Sequence, residues 1–338
     1  MLSANNDKSP LYITEQGASI KKRSDALIIE KNGDVLLEIE CMKIDSIMLF
    51  GNIQFSTQVM RELFQHGIEF ALFSSRGNYL GRLSPELSNN AELRLRHHER
   101  LFQPDFQLRF AAELVRAKID NSLITIDRSL ESKRQTQSDS LQKARDDWNR
   151  KIESCKSLDS LRGLEGSFAR MYFDQFASLI PAPFAWHGRI MHPAPDPVNA
   201  LLSLTYTFIT NRLHSLIEGI GLDPYLGFLH VADYSRPSLA LDILEPFRAP
   251  LCDRFVLTLL AWKSFKPSDF EIDTDGGCRL NKDEFNKYIA SFEKEMNRNI
   301  RSGDLDTSWN LILRDSVWNL KHIILGNQPA EFFRMPLR

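Results

Sequence analysis

Cysteine is scarce in this chain. Cys41, Cys155, Cys252 and Cys278 are its four in 338 residues, and no two form a Cys-x-x-Cys pair. That spacing suggests neither a zinc knuckle nor a disulfide framework, so the four read as reduced thiols. An excess of one charge is missing too. Lys and Arg number 42 against 44 for Asp and Glu, a formal net charge of −2. A protein-wide basic field is thereby excluded, and any nucleic-acid surface has to be local or shared with a partner. Long apolar runs are absent as well: stretches such as Phe255 to Trp262 are far too short to span a bilayer. Met1 to Lys8 is polar and has no apolar h-region, so no secretory signal is expected and a cytoplasmic protein follows. No solenoid repeat or low-complexity tract appears. What remains is ordinary globular usage, 43% apolar and 25% charged, in a chain long enough that two domains are expected.

The grammar of the chain changes once. Residues 11 to 83 read as strands broken by turn chemistry. Ala26–Glu30 and Val35–Ile39 flank Asn32-Gly33, two residue types that tolerate the positive φ of a type I′ turn. A second hairpin is expected around Ser75-Arg76-Gly77-Asn78. One helix interrupts the strands, capped by Ser56 or Thr57, striped by Val59, Met60, Leu63 and Phe64, and released at Gly67. From about Ala91 onward apolar residues recur at helical spacing, with a break at Pro104. Helices are expected at Leu164–Leu179, Asp196–Ile220, Leu239–Trp262 and Lys282–Arg298, and the polar stretch Arg128 to Lys156 reads as a solvated helix or helix-and-loop excursion. The fold class is α+β: a small N-terminal β-sheet domain over 1–90, then a larger all-α domain over 91–338.

Several motifs dissolve on inspection. Asp273, Asp275 and Glu284 sit at calcium-loop positions one, three and twelve, but position six is Cys278 where the sharp turn needs glycine. A turn followed by an Asn281-x-x-Glu284 capping box accounts for the same residues. Gly219-Ile-Gly221 follows a helical pattern and reads as a helix exit. His97-His98 lie among Arg94, Arg96 and Arg100, which suggests an exposed basic helix face, and His66 and His322 have no partner pattern.

Two segments carry more. In Leu161-Arg-Gly163-Leu164-Glu165-Gly166-Ser-Phe168, Glu165 stands beside an apolar helix face. It reads either as a first-turn acid complementing the helix dipole or as a ligand, and the two glycines allow close backbone approach. In Gly227-Phe-Leu-His230 and Arg236-Pro-Ser238-Leu-Ala-Leu-Asp242-Ile-Leu-Glu245-Pro-Phe-Arg248, His230 ends an apolar run. Asp242 and Glu245 lie three apart, so both can share one side of a helix. Two carboxylates and an imidazole near a third carboxylate make a hard, oxygen-rich site suited to Mg²⁺ or Mn²⁺. Spacing alone does not bring Glu165 to the others.

At these residues the sequence resembles the CRISPR-associated endonuclease/integrase family that captures new spacers, the Cas one family. The matching blocks occur in the family's order: Ala117-Lys118-Ile119-x-Asn121, Leu161-x-Gly163-x-Glu165-Gly166, Asp196-Pro197-x-Asn199-Ala200-Leu201-Leu202, Gly227-Phe-Leu-His230, and Ser238-Leu239-x-Leu241-Asp242-x-x-Glu245-Pro246-Phe247-Arg248. They span the helical half, while the strand-rich half matches more loosely. The resemblance implies metal ligands at Glu165, His230 and Glu245, a supporting acid at Asp242, and a phosphate-facing base at Arg248. Glu245 stands where some members have Asp. The implied reaction is metal-dependent strand transfer, in which a 3′-hydroxyl of an incoming fragment attacks a phosphodiester at a CRISPR repeat boundary. It further implies Mg²⁺ or Mn²⁺ as cofactor, double-stranded DNA (spacer precursor and repeat) as partner, homodimerisation through the β domains, and a larger complex with the small protein Cas two. Alternatives are a general metal-dependent nuclease or transposon-type integrase on the same scaffold, and a non-catalytic DNA-binding scaffold. Carboxylates crowded round a cation site repel one another without the cation, so Glu165→Ala and Glu245→Ala are expected to melt no lower than wild type.

Overall fold

Chain chemistry fixes the first unit locally. The structure, a computed structural model, describes residues 8–74, 79–83, 90–131, 138–191, 193–231, 233–274, 276–302 and 305–336. It separates into Met1–Leu87 and Ser88–Arg338. In the first unit come β1 (Ser9–Ile13), β2 (Ser19–Arg23), β3 (Ala26–Lys31), β4 (Asp34–Glu40), β5 (Ile44–Phe50), β6 (Gln54–Phe55), α1 (Thr57–Gln65), β7 (Glu69–Phe73) and β8 (Tyr79–Leu83). Asn32 (φ 53°) and Gly33 (φ 93°) both take the positive φ that a tight β3–β4 hairpin demands. The Ser56 hydroxyl accepts from the Val59 N–H and caps α1, and Gly67, at φ 67°, releases it. The expected turn at residues 75–78 lies outside the described residues, although β7 and β8 do pair antiparallel. Two four-stranded sheets result, ordered β1-β5-β7-β8 and β4-β3-β2-β6, with parallel pairs at β1–β5, β5–β7 and β2–β6. Ile20, Leu27, Ile29, Ile47, Leu49, Val59, Leu63 and Phe70 meet in their core.

The second unit is mostly helical: α2 (Ala91–Leu101), α3 (Pro104–Glu131), α4 (Ser138–Ser154), α5 (Leu158–Ala177), α6 (Pro197–Gly219), α7 (Ser238–Leu244), α8 (Arg254–Ala261), β9 (Phe270–Ile272), β10 (Cys278–Leu280), α9 (Lys282–Met296), β11 (Ile300–Ser302), β12 (Leu305–Thr307) and α10 (Trp309–Leu325). Four expectations change here. The helix expected from Leu164 starts at Leu158, where a Ser157–Ser160 capping box satisfies its first turn. The helix expected over Leu239–Trp262 is broken after Leu244. A tight 3-10 turn at Glu245–Phe247 and a wide π turn at Arg248–Asp253 follow, because Pro246 and Pro250 bring no N–H to an α ladder. The domain is not purely α, since β9–β10 and β11–β12 form short hairpins. Finally, α10 was not expected, although Ser308 caps it, Gly326 (φ 81°) ends it, and Trp309, Leu313, Val317, Leu320 and Ile324 are buried at helical spacing.

Helix α3 is the spine. It packs against α4, α5 and both turns of 245–253. Asn121, buried on α3, donates to the carbonyls of Pro246 (2.8 Å) and Phe333 (2.9 Å) and accepts from the Met335 N–H (2.8 Å). One amide thus ties the broken helix and the chain's last segment to α3. The calcium-loop residues behave as a turn: Gly276 takes φ 78°, Asp273 pairs with Arg279 at 3.1 Å, and Asn281 caps α9 on the Glu284 N–H. Asp275 lies outside the described residues. The Gly219–Gly221 exit is as expected, with Gly221 at φ 94°. Among the described residues, no helix is long and apolar enough to cross a membrane.

Candidate metal centre

The site is built from the backbone turn that carries His230. Asp242 on α7 is fully buried, and its carboxylate gathers that turn: Oδ2 accepts from the Phe228 N–H (2.6 Å) and Leu229 N–H (3.0 Å), and Oδ1 from the His230 N–H (2.9 Å). The same Oδ1 lies 2.7 Å from His230 Nδ1. An ionised carboxylate only accepts, so Nδ1 is the donor in this contact and Nε2 is the nitrogen turned away from Asp242. Nε2 faces Glu245 Oε1 at 3.6 Å. Gly227 makes the closeness possible: a Cβ there would stand 2.8 Å from Asp242 Oδ2 and from the Ser238 carbonyl carbon. From α5, Arg162 Nε donates to the Leu229 carbonyl at 2.7 Å. The ring of Phe228 locks the turn from the other side, 4.5 Å from Phe110 on α3.

Glu245 stands just past the end of α7 and is 3% exposed. Its Oε1 accepts from Arg248 Nε at 2.9 Å, and its Oε2 faces Lys118 Nζ at 2.6 Å. Each oxygen of the buried Glu245 carboxylate thus faces a cation. Burial alone would push the Glu245 carboxyl up, but Arg248, Lys118 and His230 overcome it and hold it down at about 2. Lys118 reaches out from α3 and also pairs with Glu165 Oε1. Burial opposes its charge, yet the Glu245 and Glu165 carboxylates outweigh burial and raise its pKa. One ammonium therefore lies between two carboxylates delivered by different elements.

The structure thus brings Glu165, His230, Asp242, Glu245 and Arg248 into one cluster. It corrects several readings of them. Glu165 is not a first-turn acid, because α5 begins about two turns earlier. Gly163 and Gly166 are not points of close approach, since a Cβ at either would meet nothing within 4 Å. Arg248 does not stand out in solvent: besides binding Glu245, its guanidinium lies 4.6 Å over the ring of Tyr206. His97 belongs to the core, not to a basic face. It is 1% exposed, its Nε2 lies 2.9 Å from the Leu226 carbonyl, and burial lowers it to about 4. Sequence reasoning gave Lys118 no role, although a lysine between buried Ala117 and Ile119 on an apolar helix face was a signal. It also missed Asp253, which accepts from the Tyr206 hydroxyl (2.5 Å) and the Tyr172 hydroxyl (2.8 Å) behind Arg248.

Two carboxylates and an imidazole nitrogen are donors that a hard divalent cation takes. The site therefore fits a metal. The crowding expected to destabilise it is absent, because Lys118 and Arg248 offset the negative charge.

A strand-rich unit is followed by a helical one in which Glu245 faces a histidine oriented by the Asp242 carboxylate. The family described as CRISPR associated protein Cas1 matches residues 11–294, and the chain belongs to it. CRISPR-associated endonuclease Cas1 3 of Thermus thermophilus is 32% identical over 293 residues, 86% of each chain. Among solved structures, a casposase bound to integration product aligns with a TM-score of 0.85 at 22% identity, over 97% of this chain and 94% of that one. A chain of a Cas6-RT-Cas1–Cas2 complex aligns with a TM-score of 0.80 at 23% identity, over 98% of this chain and 37% of that one. At these identities the two structures speak for the fold.

Proposed function

We propose that this chain is a metal-dependent DNA endonuclease and integrase that inserts new spacers into a CRISPR array by transesterification, with Glu165, His230 and Glu245 as its metal ligands. The observation that carries the reading is that Lys118 pairs with both Glu165 and Glu245, while His230 Nε2 lies 3.6 Å from Glu245 Oε1. A divalent cation, Mg²⁺ or Mn²⁺, bound by these three residues would supply charge neutralisation on the phosphate oxygens at the reacting centre. The chain's own residues do the rest. Asp242 accepts from His230 Nδ1 and keeps the ring aimed at Glu245. Arg248 holds Glu245 in one rotamer, stacked on Tyr206, and its remaining N–H groups are the donors a DNA phosphate would take. Lys118 balances the carboxylates and is placed to follow the charge as it moves to the phosphate.

DNA binding, assembly with Cas2 and homodimerisation belong to the same proposal. The sequence carries a formal net charge of −2, so its DNA surface is local or shared with a partner. Homodimerisation through the first unit is supported by β4, an edge strand on which Val35, Leu36 and Leu37 are 52%, 50% and 40% exposed. Three consecutive apolar residues on an unpaired edge are what a second strand covers.

The test is an integration assay on a repeat-bearing plasmid, with the co-purified small partner and Mn²⁺ or Mg²⁺. Joined repeat and spacer ends are expected from wild type and not from Glu165→Gln or His230→Asn. Cleavage without joined ends would favour a general nuclease, and unaltered joining by the variants would remove the site assignment.

A further inference from the structure

His66 has no partner pattern in sequence, yet the fold gives it two neighbours. It is the residue that ends α1, four positions after Glu62, and its Nε2 lies 3.3 Å from Glu62 Oε1. The chain enters from the other side at Cys41, just past β4, where the thiol is completely buried. One donor atom from each of Cys41, Glu62 and His66 lies within 4.8 Å of the other two. We propose that Cys41, Glu62 and His66 form a zinc site inside the strand-rich unit, independent of the phosphate-ester chemistry assigned to the helical one.

The geometry supports coordination by these three residues. With Zn–N and Zn–O bonds of about 2.0–2.1 Å, adjacent ligand atoms of a tetrahedron stand roughly 3.3–3.4 Å apart, close to the His66–Glu62 separation. The other oxygen of Glu62 is already engaged by the Lys22 ammonium from β2, which fixes the carboxylate and leaves Oε1 turned toward His66. Cys41 is itself pinned, its backbone N–H donating to the Asp25 carbonyl at 2.9 Å. His66 keeps 36% of its side chain in solvent, which supplies an entry path and a fourth position for water. A thiolate, an imidazole and a carboxylate are a zinc set rather than a magnesium set.

The functional consequence is mechanical. Zinc would clamp the turn after β4 to α1, and so brace the edge strand that the dimer is proposed to use. The test titrates the chelator-treated full-length protein with Co²⁺. Wild type should take up one equivalent with a thiolate-to-cobalt charge-transfer absorption, which the oxygen- and nitrogen-only centre of the helical unit lacks, and Zn²⁺ should displace it. Cys41→Ser and His66→Ala should abolish that absorption and the Zn²⁺-dependent rise in melting temperature. His66→Ala, a change at a part-exposed residue, should keep wild-type circular dichroism and Mn²⁺-dependent cleavage. Absence of the absorption in wild type, or its persistence in either variant, would overturn the site and leave Lys22–Glu62–His66 as a plain ion triad.

Discussion

Single side chains decide the charge balance of the centre. Glu165 and Glu245 both face Lys118, and Glu245 also pairs with Arg248, so it touches both cations. Removing Glu245 would leave Arg248 without its carboxylate and the buried Lys118 with Glu165 as its partner, a loss approaching the roughly 3–5 kcal/mol of a broken buried pair. Glu245→Ala is therefore expected to melt several degrees below wild type, contrary to the simple repulsion argument. Glu165→Ala, whose side chain is 25% exposed and pairs with Lys118, is expected to melt within a few degrees of wild type. Both should lose integration, and scanning calorimetry beside the assay separates the two effects. Equal melting of both variants would show that the ion pairs round Glu245 contribute nothing. His97 gives a pH signature. Its folded pKa of about 4 lies below the ordinary 6.5, so the unfolded chain binds the extra proton between those values. The stability this histidine supplies is complete above pH 6.5 and is lost as pH falls towards 4, by roughly 3 kcal/mol at most. His97→Gln keeps a donor for the Leu226 carbonyl and should flatten denaturation midpoints across that window. An unchanged slope would mean that other groups carry it.

At the scale of elements, the centre depends on a turn and a broken helix. Asp242 accepts from four donors with two oxygens, so Asp242→Asn would turn an NH₂ group toward at least one of them. Loss of integration is expected together with a lower melting temperature, although Asp242 is not proposed to touch the metal. Gly227→Ala should do likewise, because its Cβ would meet the backbone of Ser238. Retention of wild-type stability by both variants would show that the turn is held some other way. These contacts explain what the sequence made legible. Local chemistry predicts the β3–β4 hairpin, the α1 caps and the Gly221 exit, since each rests on one or two residues whose φ or hydroxyl decides the outcome. The break after Leu244 was harder to see, because apolar spacing runs through it and Pro246 and Pro250 were not weighed against that spacing. Lys118 escaped for a different reason. Its partners lie 47 and 127 positions away, and only tertiary packing creates the buried environment that gives it a role. Without the family resemblance, Glu165 too was indistinguishable from an acid on a helix end.

The molecule as a whole separates assembly from chemistry. If the exposed β4 edge is where two copies meet, a charge placed there should disrupt pairing without touching the proposed ligands, which lie on α5, in the turn before α7 and just past its end. Leu36→Lys is the suitable change. Leu36 is half exposed on an edge strand, so the substitution should alter folding stability by no more than about 0.5 kcal/mol. A lysine on an edge opposes strand addition and leaves the four-stranded sheet itself intact. Sedimentation should then show a shift from dimer to monomer with an unchanged melting temperature. Integration needs two strand transfers in fixed register and should fail, while Mn²⁺-dependent cleavage, which one centre can perform, should persist. This pattern is the mirror image of the one expected for Glu165→Ala, which should dimerise and do neither reaction. A Leu36→Lys protein that still sediments as a dimer would move the interface away from β4. One that becomes monomeric yet still joins both ends would show that the dimer is not what aligns them.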